Sequence, residues 1–103
     1  MAPAPLPPPR VAVETGIAAF LAGRYGDAVT LLGITATTDP QGSARARFYL
    51  ACSLAALVLS GEREDAELVN AKATLQAAGR LDQFTADRRI ISPRVLAALG
   101  VQP

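Results

Sequence analysis

A long apolar run occupies the middle of this sequence. Between Phe48 and Val58, apolar residues fall on nearly every side of a helix rather than along one stripe. A helix that is apolar all round needs neighbours on more than one side, so we expect this one at the centre of a helical bundle. Its longest block, Tyr49 to Leu59 with Ser53 as the one interruption, is shorter than the roughly 20 apolar residues that span a bilayer.

Start and stop residues divide the first part of the chain into two helices. Pro9 suits the first turn of a helix, where its missing N–H costs nothing. An apolar stripe follows at helical spacing and predicts a helix from Pro9 to Ala22, closed by Gly23. A second helix is predicted from Asp27 to Ala36, before the stop at Asp39–Pro40. The expected inward residues are Val13, Ile17, Phe20 and Leu21, followed by Ala28, Leu31 and Leu32.

Three more helices are predicted in the rest of the chain. Ser43 is a candidate N-cap for the third helix, which extends to about Leu59. The fourth helix is expected to begin near Arg63, with acidic residues at its positive end, and to stop at Gly79. Ser92 and Pro93 provide a cap and a first-turn proline for a last helix from Arg94 to Leu99. The expected inward stripe of the fourth helix is Ala66, Val69, Ala73 and Ala77.

The predicted fold class is all-α in one domain. No segment shows the apolar–polar alternation of a half-buried strand, and a short helical piece between Leu81 and Thr85 completes the helices. A chain of 103 residues supports a single core. A turn block also repeats: the block from Gly23 to Ala28 aligns with the block from Gly61 to Ala66, 38 residues later, through a shared Gly, Asp and Ala. Such a period is typical of stacked helix pairs.

The first unit has small, aromatic and turn residues at the spacing of a known repeat. A small residue stands where two helices cross, an aromatic follows four residues later, then a Gly–x–Tyr turn, another small residue and a closing Asp–Pro. These residues are Gly16, Phe20, Gly23, Tyr25, Ala28 and Pro40. The unit resembles the tetratricopeptide repeat, a helix–turn–helix of 34 residues. Ala12 and Thr35 depart from that pattern. The second unit shares the turn at Gly61 and Ala66 but lacks the closing Pro.

The resemblance implies an architecture and a class of role. It implies a right-handed solenoid fragment of two α-hairpins, residues 10–42 and 43–80, with residues 81–103 as a C-terminal capping segment. It also implies a protein–protein interaction domain without catalysis or cofactor. Some tetratricopeptide domains hold a peptide carboxylate with a Lys/Asn clamp, but Val13 and Ile17 stand at the matching positions here. Any groove is therefore expected to be apolar.

The composition removes most catalytic chemistry. The chain has no His, which is the usual acid–base group and metal ligand near neutral pH, and its single Cys allows neither an internal disulfide nor a zinc knuckle. Cys52 lies in the apolar run and is expected to be buried and unreactive. The acidic residues near the fourth helix are more simply a solvated helix start than a cation site. They are Glu62, Glu64, Asp65 and Glu67. We expect no enzyme, no cofactor and no metal.

The candidate partner contacts are arginines and the apolar residues of the first helix. The arginines are either solvated surface residues with local ion pairs or a patch that contacts anions or carboxylates, and the sequence leaves both hypotheses open. The net charge of +1 opposes binding to nucleic acid or to an acidic membrane. The candidate residues are Arg10, Val13, Ile17, Leu21, Arg45, Arg47, Arg88, Arg89 and Arg94.

The first nine residues are a different kind of chain. They contain five prolines and no charge, and they lack the basic and apolar regions of a signal peptide. Proline fixes φ and removes a donor, so residues 2–8 are expected to be extended and polyproline-like. Three hypotheses stay open: a linker within a longer protein, a segment docked on a helical surface of this chain or an adjacent copy, and a ligand for an aromatic-lined groove.

Three functions follow from these observations. The first is a scaffold or adaptor domain that binds a protein or peptide. The alternative is a self-assembling subunit of a homo-oligomer or filament, because two repeats leave uncovered ends that can stack head to tail. The third, a small helical regulator that binds nucleic acid through residues 88–94, is opposed by the net charge. A single Cys is compatible with the cytosol and the periplasm alike.

Overall fold

Six α-helices, packed in adjacent pairs, form the computed structural model, which describes residues 9–38, 43–79 and 84–101. No strand occurs in these ranges, so the all-α prediction is confirmed. The predicted tail, residues 1–8, and the closing Pro40 lie outside the described residues. The helices are α1 (Pro9–Leu21), α2 (Tyr25–Thr38), α3 (Ser43–Leu59), α4 (Glu67–Ala77), α5 (Thr85–Ile90) and α6 (Pro93–Ala98).

The apolar run forms the central helix, as its sequence predicts. α3 packs extensively on α2 and on α4, and less extensively on α1 and α6. Every side chain from 51 to 58 is buried, and Phe48 and Tyr49 have no exposed surface. Ser53 is polar, and its hydroxyl donates to the Tyr49 carbonyl oxygen at 2.8 Å. Removing the apolar surface of α3 from water thus requires helices on several of its sides.

The first hairpin is closed by a small residue at the helix crossing. A Cβ atom added to Gly16 in α1 would lie 2.7 Å from both Cγ and Cδ2 of Leu32, and 3.5 Å from Cβ of Leu31. Ala28 and Leu32 in α2 have no exposed surface. Gly16 therefore lies where α1 and α2 approach closely, and Ala28 is buried in the same hairpin.

The turns after α1 and α3 begin in the same way. Gly23 and Gly61 have φ values of +83° and +82°, in the left-handed region where a residue without Cβ is favoured. Their N–H groups donate to the carbonyls of Phe20 and Val58, each at 3.0 Å. In each turn, the N–H of the residue after the glycine donates to the carbonyl of the residue before that acceptor. This is the Schellman pattern of hydrogen bonds at a helix end. The aligned glycines of the sequence repeat are therefore structurally equivalent.

The equivalence ends at those glycines, and the stripe predicted for the fourth helix is wrong. α2 begins two residues after Gly23, whereas α4 begins only at Glu67. Ala66 therefore precedes its helix and is exposed, unlike Ala28. α4 packs on α3 through its leucines and the small residues between them, because two leucines bury more apolar area than one valine and several alanines. The inward residues are Leu68, Ala71, Leu75 and Ala78, while Val69, Ala73 and Ala77 face outward.

Residues 84–101, called here the C-terminal segment, fold over α3. α6 begins as predicted, since the Ser92 hydroxyl accepts a hydrogen bond from the Arg94 N–H at 3.3 Å and Pro93 occupies the first turn. α6 makes its main contact with α3, so it covers the second unit from that side. The outward side of α4 stays uncovered, since Val69 is 71% exposed there. The buried residues of this segment are Phe84, Ile91, Val95, Leu96, Leu99 and Val101.

Candidate protein-interaction surface

Four polar side chains from three helices meet beside the first half of α3. Arg45 donates from Nη1 to Oε1 of Glu14 in α1 at 3.1 Å, and from Nη2 to Oδ1 of Asp87 in α5 at 3.4 Å. The Tyr49 hydroxyl donates to the same Asp87 oxygen at 2.6 Å. The guanidinium carbon of Arg45 lies 5.7 Å from the centroid of the Tyr49 ring, within the range of a cation–π contact. We call these four residues the Arg45 cluster; it connects α1, α3 and the C-terminal segment.

The cluster is arranged around the Asp87 carboxylate, which is mostly shielded from water. Burial by itself would lower the pKa of the Arg45 guanidinium, but the charge of Asp87, with smaller contributions from Tyr49, the hydrogen bond to Asp87 and Glu14, outweighs it and raises that pKa. Burial, and then the hydrogen bond donated to Asp87, raise the pKa of the Tyr49 phenol. Arg45 therefore stays charged and Tyr49 stays protonated, so Asp87 keeps two donors over the whole physiological pH range.

An aromatic row runs through the same region. Ring centroids lie 5.6 Å apart for Tyr25 and Phe20, 5.8 Å for Phe20 and Tyr49, and 5.5 Å for Tyr49 and Phe48. Phe48 then stacks on Phe84 of the C-terminal segment, with centroids 4.6 Å apart and planes 13° from parallel. These five residues are all the aromatic residues of the chain. They join the first hairpin, α3 and the C-terminal segment in one contact path.

Cys52 lies one helical turn beyond Tyr49 in α3 and has no exposed surface. Burial, with a further contribution from the Asp87 charge, raises the pKa of its thiol to about 12. The thiol is therefore protonated at neutral pH, and the thiolate that acts as a nucleophile or metal ligand is not formed. The burial of Cys52 and the raised pKa of its thiol both support the prediction of a buried structural cysteine.

A shallow groove of about 290 Å³ lies between α1 and α2. Its floor is formed by Ala19 and Leu31, and its sides are polar and carry both signs of charge. Val13 and Ile17, which the sequence predicted on the groove side or in the core, lie in the core. The residues that line the groove are Thr15, Ala19, Arg24, Asp27, Thr30 and Leu31.

The predicted contact residues do not form one surface. Val13 and Ile17 are buried in the core, so they are not available to a partner, whereas Leu21 is 52% exposed at the end of α1. Arg45 belongs to the Arg45 cluster, and Arg47 donates to the Ala77 carbonyl at the end of α4 at 3.4 Å. These two arginines therefore have partners within the chain.

The remaining arginines and acidic residues lie elsewhere. Arg88 is half-buried, and Arg89 and Arg94 are exposed. Arg10 lies in α1, and its side chain is outside the described part. The acidic residues between Glu62 and Glu67 lie at or before the start of α4, and most of them are exposed, which suits a solvated helix start. Within the described ranges, no group of three or more His, Cys, Asp or Glu residues is placed to hold a metal ion.

Sequence reasoning missed three members of the Arg45 cluster. Glu14, Tyr49 and Asp87 are separated by up to 73 positions, so no local pattern links them. One partial signal exists, because Arg45 and Tyr49 are four residues apart and therefore share one side of α3.

The comparisons with known proteins leave the family open. Neither a protein-family model, nor a curated protein, nor a solved structure matches this chain. None of the described helices has the length and apolar character needed to cross a membrane.

Proposed function

We propose that this chain is a non-catalytic protein–protein interaction domain, built of two tetratricopeptide-like helix pairs and acting as a scaffold or adaptor. The observation that carries the proposal is the crossing of α1 and α2, where Gly16 lies against Leu32 and Ala28 is fully buried. These are the positions at which the resemblance requires small residues. The same hairpin is followed by α3 and α4 in series, as expected for stacked repeats.

The groove between α1 and α2 is the recognition surface that we assign to this function. Ala19 and Leu31 give it an apolar floor, while Arg24 and Asp27 supply exposed charges of both signs at its edge. A peptide segment with a small apolar side chain and flanking polar groups matches this lining.

The test compares two identical substitutions at exposed threonines. The hydroxyls of Thr30 in α2 and Thr74 in α4 each donate to the carbonyl four residues earlier, so the two sites are locally alike. Thr30 lines the groove and Thr74 does not. We expect Thr30→Arg to fill the groove and abolish capture of partner proteins from a cell extract, while Thr74→Arg captures the same partners as the wild type. Equal capture by all three proteins would refute this role of the groove.

A self-assembling subunit is the second candidate, and the exposure of Val69 favours it. This side chain is 71% exposed on the outward face of α4. In a stack of helix pairs, the next repeat would cover that face. Size-exclusion chromatography with light scattering tests the candidate: it requires an assembly that Val69→Asp dissociates. A monomeric wild type at high concentration would eliminate it.

A further inference from the structure

The C-terminal segment depends on α3 for its order. Its two helices have six residues each, and isolated helices of that length are not stable in water. α6 also packs on α3 less extensively than the consecutive helices from α1 to α4 pack on one another. Segments with few supporting contacts open at lower free energy than the rest of a domain. Residues 84–101 are therefore the part of the described chain best suited to separate from α3 as a unit.

The contacts that hold this segment are specific. Phe84 stacks on Phe48. Three positions later, Asp87 accepts hydrogen bonds from Tyr49 and Arg45. One side of α3 thus provides an aromatic face beside a pair of donors. Phe84 stands at the N-cap position of α5 and Asp87 lies in its first turn, so the start of one helix presents both side chains to α3.

We propose that the side of α3 formed by Arg45, Phe48 and Tyr49 is a docking site for a partner helix, which presents an aromatic residue followed three positions later by a carboxylate. In the free protein, residues 84–101 occupy this site. The inference rests on the proposed interaction function but concerns a different surface from the α1–α2 groove. It follows the helix-in-groove mode of recognition, with the chain's own segment as the first occupant.

The covalent link sets the strength of the competition. A tethered segment is present at an effective concentration in the millimolar range. A partner binds only to the open fraction of molecules, so its apparent affinity falls in proportion to that fraction. Changes that weaken the tethered contact must therefore strengthen binding of an external helix.

Cys52 reports the opening without any substitution. Cys52 follows Phe48 and Tyr49 by four and three positions, so it shares their side of α3, and it has no exposed surface. Labelling therefore requires that side of α3 to be uncovered. In the full-length wild type, we expect labelling in dilute urea to be faster than global unfolding allows, with a weaker dependence on urea concentration. Labelling only at the rate of global unfolding would show that the segment does not open separately, and would overturn the proposal.

Matched variants then identify the contact. Asp87→Asn removes the charge that Arg45 and Tyr49 contact, so Cys52 labelling should become about 10-fold faster. Asp65→Asn is the control, because Asp65 is exposed in the turn before α4 and belongs neither to the α1–α2 groove nor to the Arg45 cluster. Equal effects of the two substitutions would contradict a specific role of Asp87.

Binding in trans completes the test, with a synthetic peptide of residues 81–101 as the probe. Fluorescence anisotropy should show at least about 10-fold tighter binding to the Asp87→Asn chain than to the wild type. A peptide that carries Phe84→Ala should bind neither protein. Peptide binding that is independent of both substitutions, or a doubling of protein mass without peptide uptake, would overturn the proposal; the second outcome would assign the site to another copy. Because both components are purified, the result does not depend on the α1–α2 groove.

Discussion

Replacing Gly16 by alanine tests the helix crossing on which the interaction proposal rests. Glycine inside a helix is normally less stable than alanine by roughly 0.5–1 kcal/mol, so an ordinary helical site gains stability from this change. At Gly16, the new Cβ would lie 2.7 Å from two atoms of Leu32. Carbon atoms pack at about 3.5–4.0 Å, so α1 and α2 must move apart by close to 1 Å or Leu32 must change its rotamer.

The surroundings make both adjustments costly. Leu32 has no exposed surface, so its side chain has no solvent-facing space into which to move. Overpacking of this kind costs about 1–3 kcal/mol, which outweighs the helical gain from alanine. We therefore expect Gly16→Ala to lower the free energy of unfolding by about 1 kcal/mol. The midpoint of thermal unfolding should fall by roughly 4–8 °C for a domain of this size.

Gly33→Ala is the matched control. Gly33 lies inside α2, and no atom lies within 4 Å of an added Cβ. This variant should gain roughly 0.5–1 kcal/mol from the better helix former. The two alanine variants are thus expected to shift in opposite directions when thermal unfolding is followed by circular dichroism. A Gly16→Ala protein that is as stable as Gly33→Ala would refute the close crossing and the repeat alignment built on it.

Three further predictions follow from the described contacts. Tyr49→Phe leaves Asp87 without one donor, so the free energy of unfolding measured in urea should fall by roughly 1–3 kcal/mol. An unchanged urea midpoint would contradict the hydrogen bond. Burial raises the pKa of the Cys52 thiol from 9.0 to about 12, so between these pH values the native state keeps a proton that the unfolded chain releases. The free energy of unfolding should therefore fall from about pH 9 upward in a pH series of urea titrations. Cys52→Ala should remove part of that fall. Gly23→Ala forces a side chain into the left-handed region and should lower the free energy of unfolding by about 1–2 kcal/mol. Gly26→Ala places its Cβ in open space at a helical position, so its loss of stability in thermal unfolding should be smaller.

The limits of α1 and α3 could be predicted because their signals are local. Pro9 fixes the start of α1, and Gly23 ends it through its left-handed φ. The apolar run from Phe48 to Val58 required a central helix, since no other arrangement removes all its sides from water. Gly16 was singled out only through the resemblance to the tetratricopeptide repeat, and the close approach of Leu32 to it agrees with that expectation.

The inward face of α4 could not be predicted in the same way. Two apolar stripes are present on this helix, one through Leu68 and Leu75 and the other through Val69 and Ala73. Which stripe turns inward depends on where the helix starts, and the turn after Gly61 gives no local signal of its length. The structure buries the stripe with the two leucines, which removes more apolar area from water.

The Arg45 cluster offers a physical reason for the position of the C-terminal segment. A helix that is apolar all round is stable only when neighbours cover several of its sides. Here the C-terminal segment covers one side of α3, and Asp87 fixes its position by accepting from Arg45 and Tyr49. A cover held by a few directional contacts can be released more easily than a third hairpin packed along its full length. The arrangement that stabilises α3 therefore also makes its surface available for competition by another helix.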